Sequence, residues 1–393
     1  MEAEPRISFE DTKVAFLYKG NTALRKANFI FSVVNHPWVS AIATGCVKLA
    51  LQLHLPVESI IRSTVFDHFC GGESIDKCDD EIEQIGKYGV GTILDYSVEG
   101  ENSETSFDKT MEEILRTIEK ASRSKSIPFS VFKVTGLASA ELLEKIQSKE
   151  KLTEEEENSF GRIRNRIDRI CAMAHAHKVR VLIDAEESWI QDPIDALANE
   201  MMQRYNLESA IVFNTYQLYR TVSLKNLRDA FHTAAMHQYH LGAKLVRGAY
   251  MEKERKRAEE MGYPSPIQPD KAATDTDYND ALVYCIDHNS EIAIVAGTHN
   301  EESSRLLTEL LIEKRIDPKN THVYFAQLLG MSDNLSFNLA DANYNVAKYV
   351  PYGPVEAVLP YLFRRAQENT SISGQMSREL GLIVKEKKRR RLD

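Results

Sequence analysis

The chain has 393 residues, 43% hydrophobic and 27% charged, which is the make-up of an ordinary soluble globular protein. A net charge of −9 at pH 7 argues against nucleic acid as the main partner. Five cysteines with no C-x-x-C spacing fit a reducing compartment and disfavour a zinc site.

In chain order, the start MEAEPRISFED is acidic, unlike a transit peptide or a secretory signal. A cytoplasmic or already processed chain is expected, with peripheral contact to the inner membrane left open. Residues 29–47 carry no Asp, Glu, Lys or Arg and approach bilayer length. Asn35, His36 and Pro37 interrupt the middle, so a packed helical pair is expected rather than a span. The alternative is a membrane- or partner-facing surface with Trp38 at the interface. This N-terminal helical segment covers residues 1–88.

Eight short apolar runs follow, starting near residues 92, 129, 179, 210, 242, 291, 322 and 346. Each is rich in Val, Ile, Leu or Phe, as strands buried on both faces should be, and amphipathic stretches separate them. The pattern predicts an α/β fold of the (β/α)₈ TIM-type barrel class over residues 89–372. Asp95, Lys133, Asp184, Asn214, Arg247, His299, Gln327 and Tyr349 stand at or near the C-terminal ends of these runs. Barrel active sites form on that side. Residues 146–161 read as a charged insertion, a solvated loop or helix extension. His175 and His177 have metal-like spacing but lead into the third strand, on the wrong face of a barrel, so no metal is expected. No G-x-G-x-x-G follows a strand and no P-loop motif occurs.

The last run, a Gly-Pro turn and a helical stretch make up residues 345–369. In a helix, Tyr361, Arg364, Arg365 and Glu368 share one face, with Val358, Leu359 and Leu362 largely on the other. Two guanidinium forks beside an aromatic ring suit a carboxylate; a solvated face with Arg364 linked to Glu368 is the plainer alternative. Residues 373–393 form a tail ending in the basic run KEKKRRR, either a solvated helix end or a contact for anionic lipid.

KLVRGAY (244–250), ATDTDYND (273–280), VYFAQLLGM (323–331) and YVPYGPVEAVLPYLFRRAQEN (349–369) resemble the proline dehydrogenase family, in its stand-alone eukaryote-like branch. The resemblance spans roughly residues 90–370. It implies a distorted barrel with FAD on the strand C-terminal ends, a C-terminal helix over the mouth, oxidation of L-proline to Δ1-pyrroline-5-carboxylate, and a quinone as electron acceptor. It further implies that Arg364, Arg365 and Lys133 clamp the proline carboxylate while Asp184 holds the cationic network. Tyr349 and Tyr361 would contact the proline ring, and Glu99 would pair with Arg364 as a gate. The FAD contacts it implies are Asn214, Lys244, Val246, Gly248, Tyr250, Lys271, Thr298, His299, Asn300 and Gln327, with Glu368 supporting the last helix. Lys244 stands where many bacterial members carry Arg, and Asn214 where other branches carry Gln.

Alternatives remain open at this level. The chain fits a hydroxyproline dehydrogenase of the same family, a Schiff-base lyase with Lys133 as nucleophile, or an inactive barrel acting as a scaffold.

Overall fold

The computed structural model describes residues 7–34, 58–98, 102–362 and 375–392. Eight parallel strands close in sequence order as a barrel: β1 Val90–Tyr96, β2 Phe129–Lys133, β3 Arg180–Asp184, β4 Val212–Gln217, β5 Leu241–Val246, β6 Ile292–Gly297, β7 Val323–Leu328 and β8 Val346–Tyr352. This is the (β/α)₈ class expected, and each expected run overlaps one strand. The reason is local: every residue of β4 and of β8 is buried, as continuous apolar runs require when helices cover one face and the lumen fills the other. The chain divides into two compact units, residues 1–100 with 327–393, and residues 101–326.

In the 101–326 unit, rings from non-adjacent strands meet in the lumen. Phe129 of β2 lies edge-on to Phe213 of β4 at 5.6 Å and to Tyr324 of β7 at 4.9 Å. Side chains alternate along a strand, so these three rings fix the parity of everything above them. Two residues on from Phe129 and Phe213, and again two on, come Val131 and Lys133, Thr215 and Gln217, all inward. The strand register then places Lys133, Asp184, Thr215 and Lys244 in one lateral row. Two helix starts here are set by capping boxes: Ser103 and Ser106 before Glu104–Ser122, and Thr153 and Glu156 before the 24-residue helix Glu154–His177. The second half of the charged insertion, residues 154–161, is therefore the first turns of a helix. His175 and His177 lie exposed in its last turn, and no metal-type cluster occurs among the described residues.

In the other unit, the chain's two described ends pack together: Leu382 and Ile383 of the Gln375–Arg390 helix join Ala15, Phe16, Leu24, Ala27 and Phe31 in one apolar cluster. The basic tail belongs to that helix. Arg389 and Arg390 pair with the buried Glu386, and Arg390 donates to the carbonyls of Phe16 and Lys19, while Lys388 and Arg391 stay exposed. The uncharged stretch at 29–47 falls partly outside the described residues; its start lies in the Asn21–Val34 helix. No described helix is long and apolar enough to cross a membrane.

Beneath this cluster lies a set of buried charges. Asp333 accepts from Tyr18 at 2.9 Å and Lys19 at 2.7 Å, and Lys348 of β8 stands 2.9 Å away, wholly buried. Burial pushes the Asp333 carboxyl up, but Lys19 and Lys348 outweigh it and hold it well below the usual carboxylate range. Glu379 of the C-terminal helix accepts from the Ser332 N–H at 2.5 Å. Burial first, and the Asp333 charge second, push its carboxyl up to about 8.

The folded chain therefore holds a proton on Glu379 that the unfolded chain releases near the ordinary value of 4.5. Stability from this group is full below that value and is lost as pH rises towards about 8. Thermal melts from pH 5 to pH 9 should show wild type losing stability relative to Glu379→Gln, which keeps the neutral form. Parallel pH curves for the two proteins would show that Glu379 folds ionised.

Candidate active site

Within the 101–326 unit, the inward row at the strand ends holds an ion pair. Lys244 Nζ donates to Asp184 Oδ1 at 2.7 Å, with side chains 8% and 15% exposed. Thr215 lies between them in the row and donates its hydroxyl to the Ile183 carbonyl. Lys133 ends β2 level with Asp184. The site is thus built from four consecutive strands, β2 to β5, with a cation at each end of a row that holds Asp184 and Thr215.

The loop after β3 completes this side. Glu186 is buried, accepts from the Thr135 N–H at 3.0 Å and from the Thr135 hydroxyl, and donates its own N–H to Gln191. Burial pushes its carboxyl up to about 7, against the pull of Lys133. Gln217, at the inward end of β4, donates to the Glu186 carbonyl at 2.7 Å. Beyond β5, Gly248 takes φ +138°, and a Cβ there would lie 2.4 Å from the Tyr219 ring. Only glycine fits that approach. Val246 gives its carbonyl to the Leu218 N–H, and Tyr250 precedes the Met251–Met261 helix. Arg247 is fully engaged: Asp275 and the Thr298 hydroxyl each at 2.7 Å, Ser303 at 2.9 Å, and the Tyr278 ring 4.4 Å below its guanidinium.

Other expected contacts fall elsewhere. Asn214 has the opposite parity to Thr215; its amide donates to Asp195 on the Gln191–Tyr205 helix at 2.9 Å, and its oxygen accepts from the Thr215 N–H. Gln217, three residues later, is the inward-facing amide that the sequence reading passed over, and counting two-residue steps from Phe213 would have found it. Lys271 is exposed and paired with Asp275 in the first turn of the Lys271–Asp287 helix. Asn300 caps the Glu301–Glu313 helix by accepting from Ser303 N–H at 2.9 Å. Thr298 is buried and His299 half-buried after β6.

In the other unit, Gln327 accepts from Ser336 on the Asp333–Asp341 helix at 2.8 Å, so its side chain also meets a flanking helix. Lys348 turns to that same helix, which leaves the next residue of β8, Tyr349, on the opposite face, 6% exposed. Asp95 of β1 accepts from Ser97 at 2.8 Å. Tyr361 is buried in a cluster with Val355, Val358, Leu359 and Leu362, whereas Glu356 and Pro360 of the same stretch are exposed. Glu99, Arg364, Arg365 and Glu368 lie outside the described residues.

The family model described as proline dehydrogenase matches residues 78–378. The chain belongs to that family. "Proline dehydrogenase 1, mitochondrial" of Dictyostelium discoideum is 34% identical over 427 residues, covering 97% of this chain and 74% of that protein. The Homo sapiens protein of the same name is 42% identical over 243 residues, covering 61% of this chain and 40% of that protein. Among solved structures, proline utilization A (PutA) from Bdellovibrio bacteriovorus inactivated by N-propargylglycine aligns with a TM-score of 0.70 at 19% identity. That alignment covers 79% of this chain but only 33% of the PutA chain, and it supports the barrel fold.

The buried pair gives a stability test. Lys244→Met should cost about 3–5 kcal/mol, because the buried Asp184 loses the ammonium 2.7 Å away, and Lys244→Met combined with Asp184→Asn should recover part of the loss. Urea melts of the single and double variants measure both; strictly additive costs would mean that the two side chains do not interact.

Proposed function

We propose that the chain oxidises L-proline to Δ1-pyrroline-5-carboxylate with FAD as cofactor, passing electrons to a quinone. The observation that carries this reading is the inward Lys133–Asp184–Lys244 row at the strand ends of a chain that matches the proline dehydrogenase family over residues 78–378. The residues present fit a flavin dinucleotide. Gly248 lets the chain after β5 pass against the Tyr219 ring, where no Cβ fits, and Lys244, Gln217, Thr298 and His299 offer the donors that an anionic, hydrogen-bonding cofactor needs. Val246 and Tyr250 would line the same cleft. FAD bound there supplies the acceptor for the two electrons leaving the proline ring.

The chain's own residues do the remainder. Lys244 would offer positive charge to a bound flavin, and Asp184 fixes its ammonium in position. Lys133, with Arg364 and Arg365, would bind the substrate carboxylate by charge-assisted hydrogen bonds. Tyr349 would pack on the proline ring, Tyr361 would back it, and Glu99 would close the site by pairing with Arg364. Gln217 replaces Asn214 as the proposed amide contact of β4, because it alone of the two has inward parity. For Lys271, Asn300 and Gln327, the pairings with Asp275, Ser303 and Ser336 favour a supporting role. Family membership favours this reading over a Schiff-base lyase at Lys133. The exposed Lys388 and Arg391 support a proposed peripheral contact with anionic lipid, while Arg390 between them is consumed in docking the helix.

Anaerobic addition of L-proline to the purified protein should bleach its flavin absorbance, and a quinone should restore it. A colourless protein that binds no FAD, or a flavin spectrum unmoved by proline, would sink the assignment.

Hydroxyproline is the substrate that a second reading favours, and Tyr349 separates the two. Tyr349→Ser should lower kcat/KM for proline by a loss of about 1–3 kcal/mol in packing while narrowing the gap to hydroxyproline. An unchanged preference ratio would remove Tyr349 from the ring contact.

A further inference from the structure

Glu254 is a buried carboxylate that the proposed chemistry does not use. It sits in the first turn of the Met251–Met261 helix with no exposure to solvent. Among the described residues both of its hydrogen bonds come from one partner: the Ser188 N–H at 2.6 Å and the Ser188 hydroxyl at 2.5 Å. Burying a carboxylate is costly unless strong donors meet it, and short charge-assisted bonds of this kind are what offset the cost. The arrangement therefore has to be a fixed one.

Ser188 is correspondingly saturated. Its carbonyl accepts from Gln147 Nε2 at 2.6 Å, so the Ala140–Gln147 helix holds it from one side and Glu254 from the other. The neighbours repeat the link: Lys253 pairs with Glu187, and the Trp189 ring has the Arg257 guanidinium at 4.3 Å and the Lys253 ammonium at 5.5 Å. Three consecutive residues of the loop after β3 are thus tied to one helix. That helix begins at Tyr250, whose carbonyl accepts the Glu254 N–H at 2.9 Å. The loop begins at Asp184 and carries Glu186, which pins Thr135 just past Lys133. One continuous run of bonded groups joins the two ends of the candidate site.

We propose that Glu254 is a positioning residue that locks the loop after β3 to the 247–250 stretch, so that the substrate side and the cofactor side of the site hold one relative placement. This rests on the reading of Lys133 and Asp184 as substrate-side and of 244–250 as cofactor-side groups. Glu254 touches neither ligand. Its effect is felt through Ser188 and Tyr250, and loosening either end degrades both binding functions together.

Hydrogen exchange of the cofactor-free protein, FAD titration and proline kinetics test it together on Glu254→Ala, Ser188→Ala, the double variant and Glu254→Gln. Each alanine variant should speed amide exchange across residues 185–190, and should raise both the FAD Kd and the proline KM by about tenfold, the loss expected for one buried charge-assisted bond. The double variant should be no worse than Glu254→Ala, because Ser188→Ala removes only the hydroxyl bond and Glu254→Ala removes both. Glu254→Gln keeps an acceptor oxygen and should fall in between, which guards against a folding failure in the alanine variant. Faster exchange with wild-type FAD Kd and wild-type KM would reduce Glu254 to a structural group and overturn the proposal, as would unchanged exchange. Failure of the flavin reading itself is separate: it would appear as wild-type protein that binds no FAD.

Discussion

Closure of a parallel barrel imposes a two-residue alternation on every strand, and the chemistry of this chain follows from it. An inward side chain shares the lumen with seven other strands; an outward one meets a helix. In the 101–326 unit, the Phe129, Phe213 and Tyr324 rings occupy the lower lumen and leave the inward polar residues in the upper layer. Lys133, Asp184, Thr215 and Lys244 share a level because the hydrogen-bond register between β2, β3, β4 and β5 is unbroken there. A slip of one residue in any of these strands would exchange Asp184 for Ile183 or Lys244 for Leu245 and empty the site of charge.

The same alternation explains what was legible in the sequence and what was not. Eight apolar runs announce eight strands, because burial on both faces forces continuous hydrophobicity. The identity of the polar strand ends is also plain. Their orientation is not, since an Asn two or three residues from a strand end looks the same whichever way it points. Asn214 and Gln327 have outward parity and meet Asp195 and Ser336, whereas Gln217 points inward. Asn300 shows a second limit: a polar residue just before a helix has a ready partner in that helix's free N–H groups, so capping competes with ligand contact.

Buried charges outside the inward row follow a different logic. Asp333 draws Lys19, Tyr18 and Lys348 from segments more than three hundred residues apart in sequence or from a strand face hidden by a helix, and no spacing rule connects them. Such a cluster is weak evidence for stability, since burying ions is expensive, but it specifies one arrangement of the chain ends because any other leaves a charge unpaired. That specificity reaches β8, whose Lys348 also donates to the Met331 carbonyl at 2.8 Å and so fixes the turn after β7 beside Tyr349.

Glu254 and Ser188 apply the principle inside the other unit with a neutral partner in place of a cation. A lysine in that place would add a second desolvated charge; the Ser188 N–H and hydroxyl satisfy the carboxylate while tying down the peptide itself. Side-chain pairs position side chains, whereas a carboxylate on a peptide N–H positions the backbone. The end of β3 carries Asp184 and the loop after it Glu186, two acids that must hold place relative to Lys133 and Lys244. Fixing its backbone from a helix that itself starts at Tyr250 is the arrangement that keeps both acids in register without placing a further charge in the lumen.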